Sequence, residues 1–405
     1  MQNKKGSDMG ANWLKFDEND TPIRKFVFIC VWSVLTLLVI ASVLQGVSNG
    51  FRLIDFQWKP IRLMMIGENP YLYSINKVPF LGGVVDANQV PSCLLLLAPF
   101  AFLSYQTATI IWAFCNLVFT FLFMIFLYRL FKWKGCSSQV FIFLSIVLLL
   151  STPWRVLIGN GQHLLFSLAF FVGSCFYASK GRYIISGLFL AISAFKYTTI
   201  APMAFLFLTQ KWWRSIIVAI FLHLIATLWS GYYLHESPIT LVLQSLQVGS
   251  MLLGQGDADM LSLLVSYGVK IQPIFSLINY LFFAVLLMVF SFIGSKNDIL
   301  LKLSLFATIS SIMFYHRIYD FVILIFPLIL ICRDWDSEYL IDKVIRIVTI
   351  ANLVLVFYGF RILQLGVMVP RCCYNTIMFI LTTLLLTALL FKDQNCFLLS
   401  RCRIK

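Results

Sequence analysis

The sequence predicts an all-α, polytopic integral membrane protein, and three observations lead to this fold class. Apolar residues make up 60% of the 405-residue chain and charged residues only 12%, whereas soluble domains average about 25% charged residues. The apolar residues form runs along the whole chain rather than a single anchor. Lysine and arginine concentrate between alternate runs, as expected of cytoplasmic loops.

Twelve apolar runs bounded by charged or turn residues are predicted to form transmembrane helices. Several are shorter than the roughly 20 residues that a full crossing requires. The runs 183–195 and 197–210 are therefore expected to form a short hairpin, with Lys196 at its bend. The predicted spans are 26–46, 106–131, 139–157, 163–179, 183–195, 197–210, 215–233, 273–293, 300–315, 319–332, 344–362 and 373–391.

The run PSCLLLLAPFAFLSY, residues 91–105, is interpreted differently. It is too short for a span and carries Pro91 and Pro99. We expect a short helix that dips into the membrane from the outer side, within a first outer loop that carries short amphipathic helices.

The charges predict the orientation. The domain prediction is a cytoplasmic N-terminal tail (1–25), a single transmembrane domain (26–391) and a cytoplasmic C-terminal tail (392–405). This arrangement places 21 of the 31 lysines and arginines on the inner side. Residues 26–46 are interpreted as a retained span, because no small-residue cleavage site follows them.

Composition excludes several classes of function. The net charge of +14 is explained by cytoplasmic loops, and no basic run with interleaved aromatic residues indicates nucleic-acid binding. The ten cysteines, including the adjacent Cys372 and Cys373, lack metal-ligand spacing. The sequence therefore predicts no zinc site, disulfide scaffold or cofactor. Asp257 and Asp259 form a DxD pattern, which alone is weak evidence for a metal.

Unusual polar residues gather in the segments assigned to the outer side, and each has a structural alternative. Asp55 is either a cap or interfacial anchor, or a carboxylate kept for chemistry, because charge beside hydrocarbon is costly. Lys196 either extends to a lipid headgroup or binds an anionic ligand. A lone histidine such as His316 is more often structural than functional. Asp320 is interpreted as a structural partner of Arg317.

Three stretches together resemble a known family. They are IDFQWKPIRLMMIGENPYLY followed by PSCLLLLAPFAFL, the segment 159–214 beginning GNGQHLLF and ending TQKWWR, and SSIMFYHRIYDFVILIFPLILI. This combination is similar to the polyprenyl-phosphate-dependent mannosyltransferases of glycosyltransferase family 87, within the GT-C superfamily. The similarity runs from about residue 26 to 332, and its middle stretch is the most specific. The sequence departs from the family pattern in the single Pro91, in DADMLSLL, and in the YHR context of His316.

The resemblance implies a GT-C architecture and an inverting transfer of a hexose, with mannose first, from a polyprenyl-phosphate donor to a glycan or glycolipid acceptor. Asp55 would be the general base, with His316 as a second catalytic residue. The predicted residues that bind the donor phosphate or sugar are Lys196, Gln162, Arg62, Asn160 and Arg155. A monophosphate donor requires no metal. The expected location is a bacterial inner membrane, with the site on its outer face among membrane lipids.

Three alternatives stay open. In the first alternative, the protein is still a glycosyltransferase but transfers arabinose or another sugar, or processes an O-antigen or teichoic-like polymer. A transporter or flippase of lipid-linked sugars is the rival class, although no repeat relates the two halves of the chain. The third is an accessory subunit of an envelope complex.

Overall fold

The computed structural model describes residues 22–50, 55–132, 138–252, 254–271, 273–292, 298–333, 340–358 and 375–388. The predicted C-terminal tail, most of the N-terminal tail and the Cys372–Cys373 pair lie outside these residues, as do the ends of the spans 344–362 and 373–391. Every extended element in the described part is a helix; the β-structure there consists of two isolated bridges, Phe80–Gly83 and Ala258–His316.

The α-helices are α1 (Pro22–Gly50), α2 (Trp58–Met65), α3 (Pro70–Ile75), α4 (Pro91–Leu94), α5 (Ala98–Ala101), α6 (Tyr105–Lys132), α7 (Ser138–Leu150), α8 (Thr152–Asn160), α9 (Leu164–Ser179), α10 (Tyr183–Ser193), α11 (Tyr197–Thr209), α12 (Trp213–Tyr233), α13 (Pro238–Ser250), α14 (Met260–Ser266), α15 (Pro273–Phe292), α16 (Ile299–Met313), α17 (Ile325–Arg333), α18 (Leu340–Tyr358) and α19 (Asn375–Ala388). The 3₁₀ helices are Leu95–Leu97, Ala194–Lys196 and Ile318–Leu324.

Four helical stretches of the described chain are long and apolar enough to cross a membrane, or five if one bent pair counts as a span. Six further apolar helices are shorter. Side chains on the long helices α1 and α12 are largely exposed, as with Leu37 (65%) and Ile217 (65%). Apolar surface of this extent is expected to face lipid. The described part of the chain thus forms a polytopic membrane protein, and the prediction of twelve complete spans stays a prediction.

One predicted span is bent. Residues 139–157 are not one straight helix, because α7 and α8 meet at a 58° bend. Ser151 caps α8 by accepting a hydrogen bond from the Trp154 N–H, and Pro153 lies in the first turn of α8. Proline has no N–H to continue the preceding helix, so the chain stops and restarts here.

The stretch Tyr183–Thr209 is long enough to be a single span, but its contacts show that it turns back. Unbent, 27 residues would separate its ends by roughly 40 Å, whereas the few residues from Thr209 to Ser215 reach only about 20 Å. Yet Ser215 Oγ donates to the Tyr183 carbonyl at 3.2 Å. The stretch therefore bends back at the 3₁₀ turn Ala194–Lys196, which agrees with the predicted hairpin.

The segment predicted to be the first outer loop, residues 55–104 and called by that name below, folds into the short helices α2 to α5 and packs as a second core beside the main one. The segment Pro91–Ala101 is a broken apolar helix shorter than a span. Ser92 Oγ lies 2.8 Å from His223 Nδ1 in the middle of α12, so the segment is inserted between helices. Farther along the chain, 234–272, treated as a loop in the sequence analysis, contains α13 and α14.

The main core surrounds α16, in which every residue from Ile299 to Met313 is buried. A helix that is apolar and buried on all sides lies in the centre of a bundle. Helix α9 is buried along most of its length as well. These two central helices place His163, which precedes α9, and His316, just after α16, at the same end of the bundle.

Candidate active site

One cavity of about 1180 Å³ lies at this end of the bundle. Its polar lining comes from segments far apart in sequence: the first outer loop, the end of α8, the bend between α10 and α11, and the loops around Asp257 and Arg317. The polar and charged lining residues are Asp55, Gln57, Asp86, Asn88, Gln89, Asn160, Gln162, His163, Lys196, Tyr197, Thr198, Ser250, Asp257, Tyr280, Tyr315, Arg317 and Tyr319.

The first outer loop is attached to the end of α8. The backbone N–H of Asp55 donates to the Asn160 carbonyl at 3.1 Å. Gly161, with φ 67°, ends α8 in the left-handed conformation that glycine adopts without strain. Its carbonyl accepts from Trp112 Nε1 at 2.8 Å. Asp55, Asn160 and Gln162 line the cavity together.

Lys196 is held in the cavity by three contacts. Its ammonium lies 3.4 Å from Asp320 Oδ1, donates to Gln162 Oε1 at 3.5 Å, and lies 5.4 Å from the centre of the Tyr319 ring. Its backbone N–H donates to Ser167 Oγ at 3.0 Å. Asp55 and Lys196 thus share one cavity, although they lie 141 residues apart in the sequence.

Asp320 is the buried partner in this arrangement, which corrects the expected pairing with Arg317. Its carboxylate has no solvent exposure and lies between Lys196 and His316, whose Nδ1 is 3.3 Å from Oδ2. Arg317 contributes only its backbone N–H, which donates to Oδ2 at 3.0 Å. A buried carboxylate requires a compensating positive charge, and Lys196 supplies it.

Arg317 instead lines the cavity. Its guanidinium contacts the Tyr315 hydroxyl and lies 5.6 Å from the centre of that ring. Among the lining residues, Lys196 and Arg317 are the two with a permanent positive charge. The sequence analysis considered Arg317 only as a partner of Asp320. Its position beside His316 in YHR is the sequence feature that could have marked it as a site residue.

Asp86 is a second lining carboxylate that the sequence analysis did not select as a site residue. The hydrogen bond from the Ala87 N–H to Ser74 Oγ, at 2.8 Å, holds this part of the loop on α3. The protein atoms around Asp86 displace water and raise its pKa; the nearby Asp55 charge raises this pKa further, and Lys59 opposes both.

Three predicted site residues do not line the cavity. Arg62 donates to the Ala101 carbonyl at 2.7 Å and so fixes α2 on α5. Arg155 points toward α1, where it donates to Gln45 Oε1 at 3.2 Å. His316 has no exposure and lies behind Lys196 and Asp320, with Nε2 3.2 Å from Ser310 Oγ.

The DxD pair has two different positions. Asp257 lines the cavity, and its carboxylate accepts from the Ile318 N–H at 3.1 Å. Asp259 is buried and caps α14, accepting from the N–H and the hydroxyl of Ser262, both at 2.7 Å. Burial raises the pKa of Asp259 to about 6. Within the described residues, no cluster of three or more His, Cys, Asp or Glu side chains is arranged to hold a metal.

The fold and the cavity define a polytopic membrane protein in which carboxylates and two cations line one polar cavity. A sequence model of glycosyltransferase family 87 matches residues 90–313, more than half of the chain. The protein therefore belongs to glycosyltransferase family 87 and is a membrane glycosyltransferase. No curated protein matches the chain. The family match includes Gln162 and Lys196 but ends before Arg317 and begins after Asp55.

Proposed function

We propose that this protein transfers a hexose, with mannose as the first candidate, from a polyprenyl-phosphate donor to an acceptor hydroxyl on the non-cytoplasmic face of a bacterial inner membrane. The transfer proceeds with inversion, and Asp55 is the general base. The observation that carries this proposal is that Asp55 and Lys196 line the same cavity. A base and a phosphate-binding cation are the two groups that this reaction requires.

In the proposed step, the acceptor oxygen attacks the anomeric carbon and its proton passes to Asp55. The bond between that carbon and the phosphate oxygen breaks, and its electron pair leaves with the phosphate. The donor phosphodiester has one negative charge, and the released polyprenyl monophosphate has up to two. Positive groups near the phosphate therefore stabilise the transition state more than the ground state.

Lys196 and Arg317 are the proposed phosphate ligands. Because Asp320 already compensates much of the Lys196 charge, Arg317 is the proposed main source of positive charge for the phosphate. Its planar guanidinium also suits a two-point contact with phosphate oxygens. Gln162 and Asn160 are placed to hydrogen-bond the sugar or phosphate. In this proposal His316 is a positioning residue that acts through Asp320.

The cavity has an apolar edge that suits a lipid donor. Leu246 of α13 and Leu277 of α15 both line it, and they are 49% and 53% exposed. The cavity therefore reaches the surface between these two helices. A prenyl chain lying there would stay among apolar side chains while its phosphate reached Arg317.

The test is transfer of labelled mannose from polyprenyl-phosphate mannose by membranes that contain the protein. Asp55→Asn should lower the rate by roughly a hundredfold or more, because the variant has no proton acceptor. Glu68→Gln removes an exposed carboxylate of the same loop, outside the cavity, and should keep the wild-type rate.

Equal rates for Asp55→Asn and wild type would remove the base assignment. If the wild type transfers no sugar from any polyprenyl-phosphate donor but moves a lipid-linked sugar across vesicles, the protein is a transporter instead.

A further inference from the structure

Two buried glutamines lie beside Asp55 on the cavity wall. Gln57 and Gln89 both line the cavity and are only 5% and 6% exposed. The side-chain carbonyl oxygen of each has no hydrogen-bond partner within the described part of the protein. Leaving a buried acceptor without a partner destabilises a protein, so such a group in the lining of a cavity points to a ligand-binding position.

The amide nitrogen of each glutamine donates a hydrogen bond to a neighbouring oxygen. The side-chain oxygen is therefore the atom of each amide that has no partner among the described residues. Gln57 Nε2 donates to the Asp55 carbonyl at 3.5 Å, and Gln89 Nε2 donates to Asn88 Oδ1 at 2.9 Å. The Tyr71 hydroxyl donates to the Gln89 backbone carbonyl at 2.7 Å, which holds this residue in place. The side-chain atoms of these two glutamines that have no partner in the described part of the chain are therefore the oxygens, which can only accept hydrogen bonds.

The neighbouring carboxylates have the same character. Asp55 and Asp86 line the cavity beside the glutamines and are close enough for their charges to interact. We define the first-loop wall as Asp55, Gln57, Asp86, Asn88 and Gln89. When ionised, its carboxylates accept hydrogen bonds and donate none, and the wall has no cation among its five residues.

We propose that the first-loop wall is the acceptor subsite and that it selects an uncharged sugar or other polyol, with Gln57 and Gln89 binding its hydroxyl groups. The inference rests on the proposed function, because Asp55 must lie beside the attacking hydroxyl. Hydroxyl groups donate to the free oxygens, whereas an anionic acceptor would be repelled by the two carboxylates.

The test measures binding of methyl α-D-mannopyranoside, and of its uronic acid counterpart, to the detergent-solubilised protein. Gln57→Met and Gln89→Met keep the side-chain volume and remove the free oxygen. Each should weaken binding of the neutral glycoside roughly tenfold and leave the affinity for farnesyl phosphate, a short donor analogue, within about twofold of wild type.

Two further measurements separate ligand binding from a structural role. Each methionine variant removes one unsatisfied buried oxygen and one hydrogen bond donated by the amide, and because these two effects oppose each other the thermal stability should stay close to that of wild type. Gln106→Met, at an exposed glutamine of α6 outside the cavity, should bind like wild type. Asp86→Asn should reduce the preference for the neutral glycoside over its uronic acid by about tenfold.

The outcomes distinguish this inference from the proposed function. Unchanged glycoside binding in both methionine variants, or equal binding of the neutral and acidic glycosides by wild type, would overturn the acceptor subsite alone. Loss of farnesyl phosphate binding along with glycoside binding would do the same, because it indicates a general disturbance of the cavity. A wild-type protein that transfers no sugar and binds neither glycoside overturns both proposals.

Discussion

The two sides of the cavity hold their polar groups in different ways. On the first-loop wall, the free oxygens of Gln57 and Gln89 have no partner among the described residues. The cation wall, formed by Lys196, Asp257, Tyr315, Arg317 and Tyr319, has its groups bound to one another or to buried neighbours. Lys196 pairs with Asp320, Arg317 contacts Tyr315, and Asp257 accepts from the Ile318 N–H.

This difference corresponds to two tasks of a transferase. A cation that must meet a developing phosphate charge works best when it is already fixed, because no reorganisation is then needed during the reaction. Groups that recognise an acceptor work best when their hydrogen-bonding capacity is free until the acceptor arrives. The two walls are therefore expected to respond differently to substitution: the cation wall in stability and donor binding, the first-loop wall in acceptor binding.

The largest expected effect on stability comes from breaking the Lys196–Asp320 pair. Asp320→Asn leaves the lysine charge without its buried partner, which should destabilise the protein by roughly 3–5 kcal/mol. The measurement is unfolding of the detergent-solubilised protein by heat or denaturant.

The double variant Lys196→Met/Asp320→Leu removes both charges and should recover most of the lost stability while transfer stays low. An Asp320→Asn protein as stable as wild type would contradict the view that the cation wall is internally paired.

The next effect concerns Arg317. Arg317→Gln should raise the KM for the polyprenyl-phosphate donor roughly tenfold to hundredfold, since a charge-assisted contact with phosphate contributes about 1.5–3 kcal/mol. Arg317→Lys keeps the charge without the planar fork and should give an intermediate value.

Arg214→Gln is the matched control for Arg317. Arg214 also lies over a tyrosine, 5.9 Å from the centre of the Tyr183 ring, but outside the cavity. Its replacement should leave the donor KM unchanged. If both arginine variants changed this KM equally, the effect would come from lost packing rather than from phosphate binding.

The smallest expected effect is a pH dependence at the loop that supports the cation wall. Burial raises the pKa of Asp259 from 3.8 to about 6. A raised folded-state pKa gives a stabilising contribution that is complete below pH 3.8 and is lost as the pH rises through about 6. Asp259→Asn keeps a capping oxygen without titrating, so it should gain stability relative to wild type over this interval, by on the order of 2 kcal/mol.

Unfolding measured from pH 4 to 8 checks this prediction, with Glu68→Gln as the exposed control. A difference between Asp259→Asn and wild type that stays constant over this range would show that Asp259 does not titrate there.

Some features follow from the sequence because their signals are local. The apolar runs determine a membrane protein, since hydrocarbon excludes charge and unpaired backbone groups. The segment from GNGQ to Lys196 identifies the family and places a lysine at a helical bend. Asp55 was selected because a carboxylate next to an apolar span is costly, and the structure places it on the cavity lining.

Other features were decided by tertiary structure, because side-chain direction depends on which distant segments pack together. Arg62, Arg155 and Arg317 look alike in the sequence as outer-side arginines, yet only Arg317 lines the cavity. Asp320 pairs with Lys196 rather than with its neighbour Arg317, because the α10–α11 bend packs beside it. Gln57 and Gln89 gave no sequence signal at all, since a free acceptor oxygen is defined only by the groups around it.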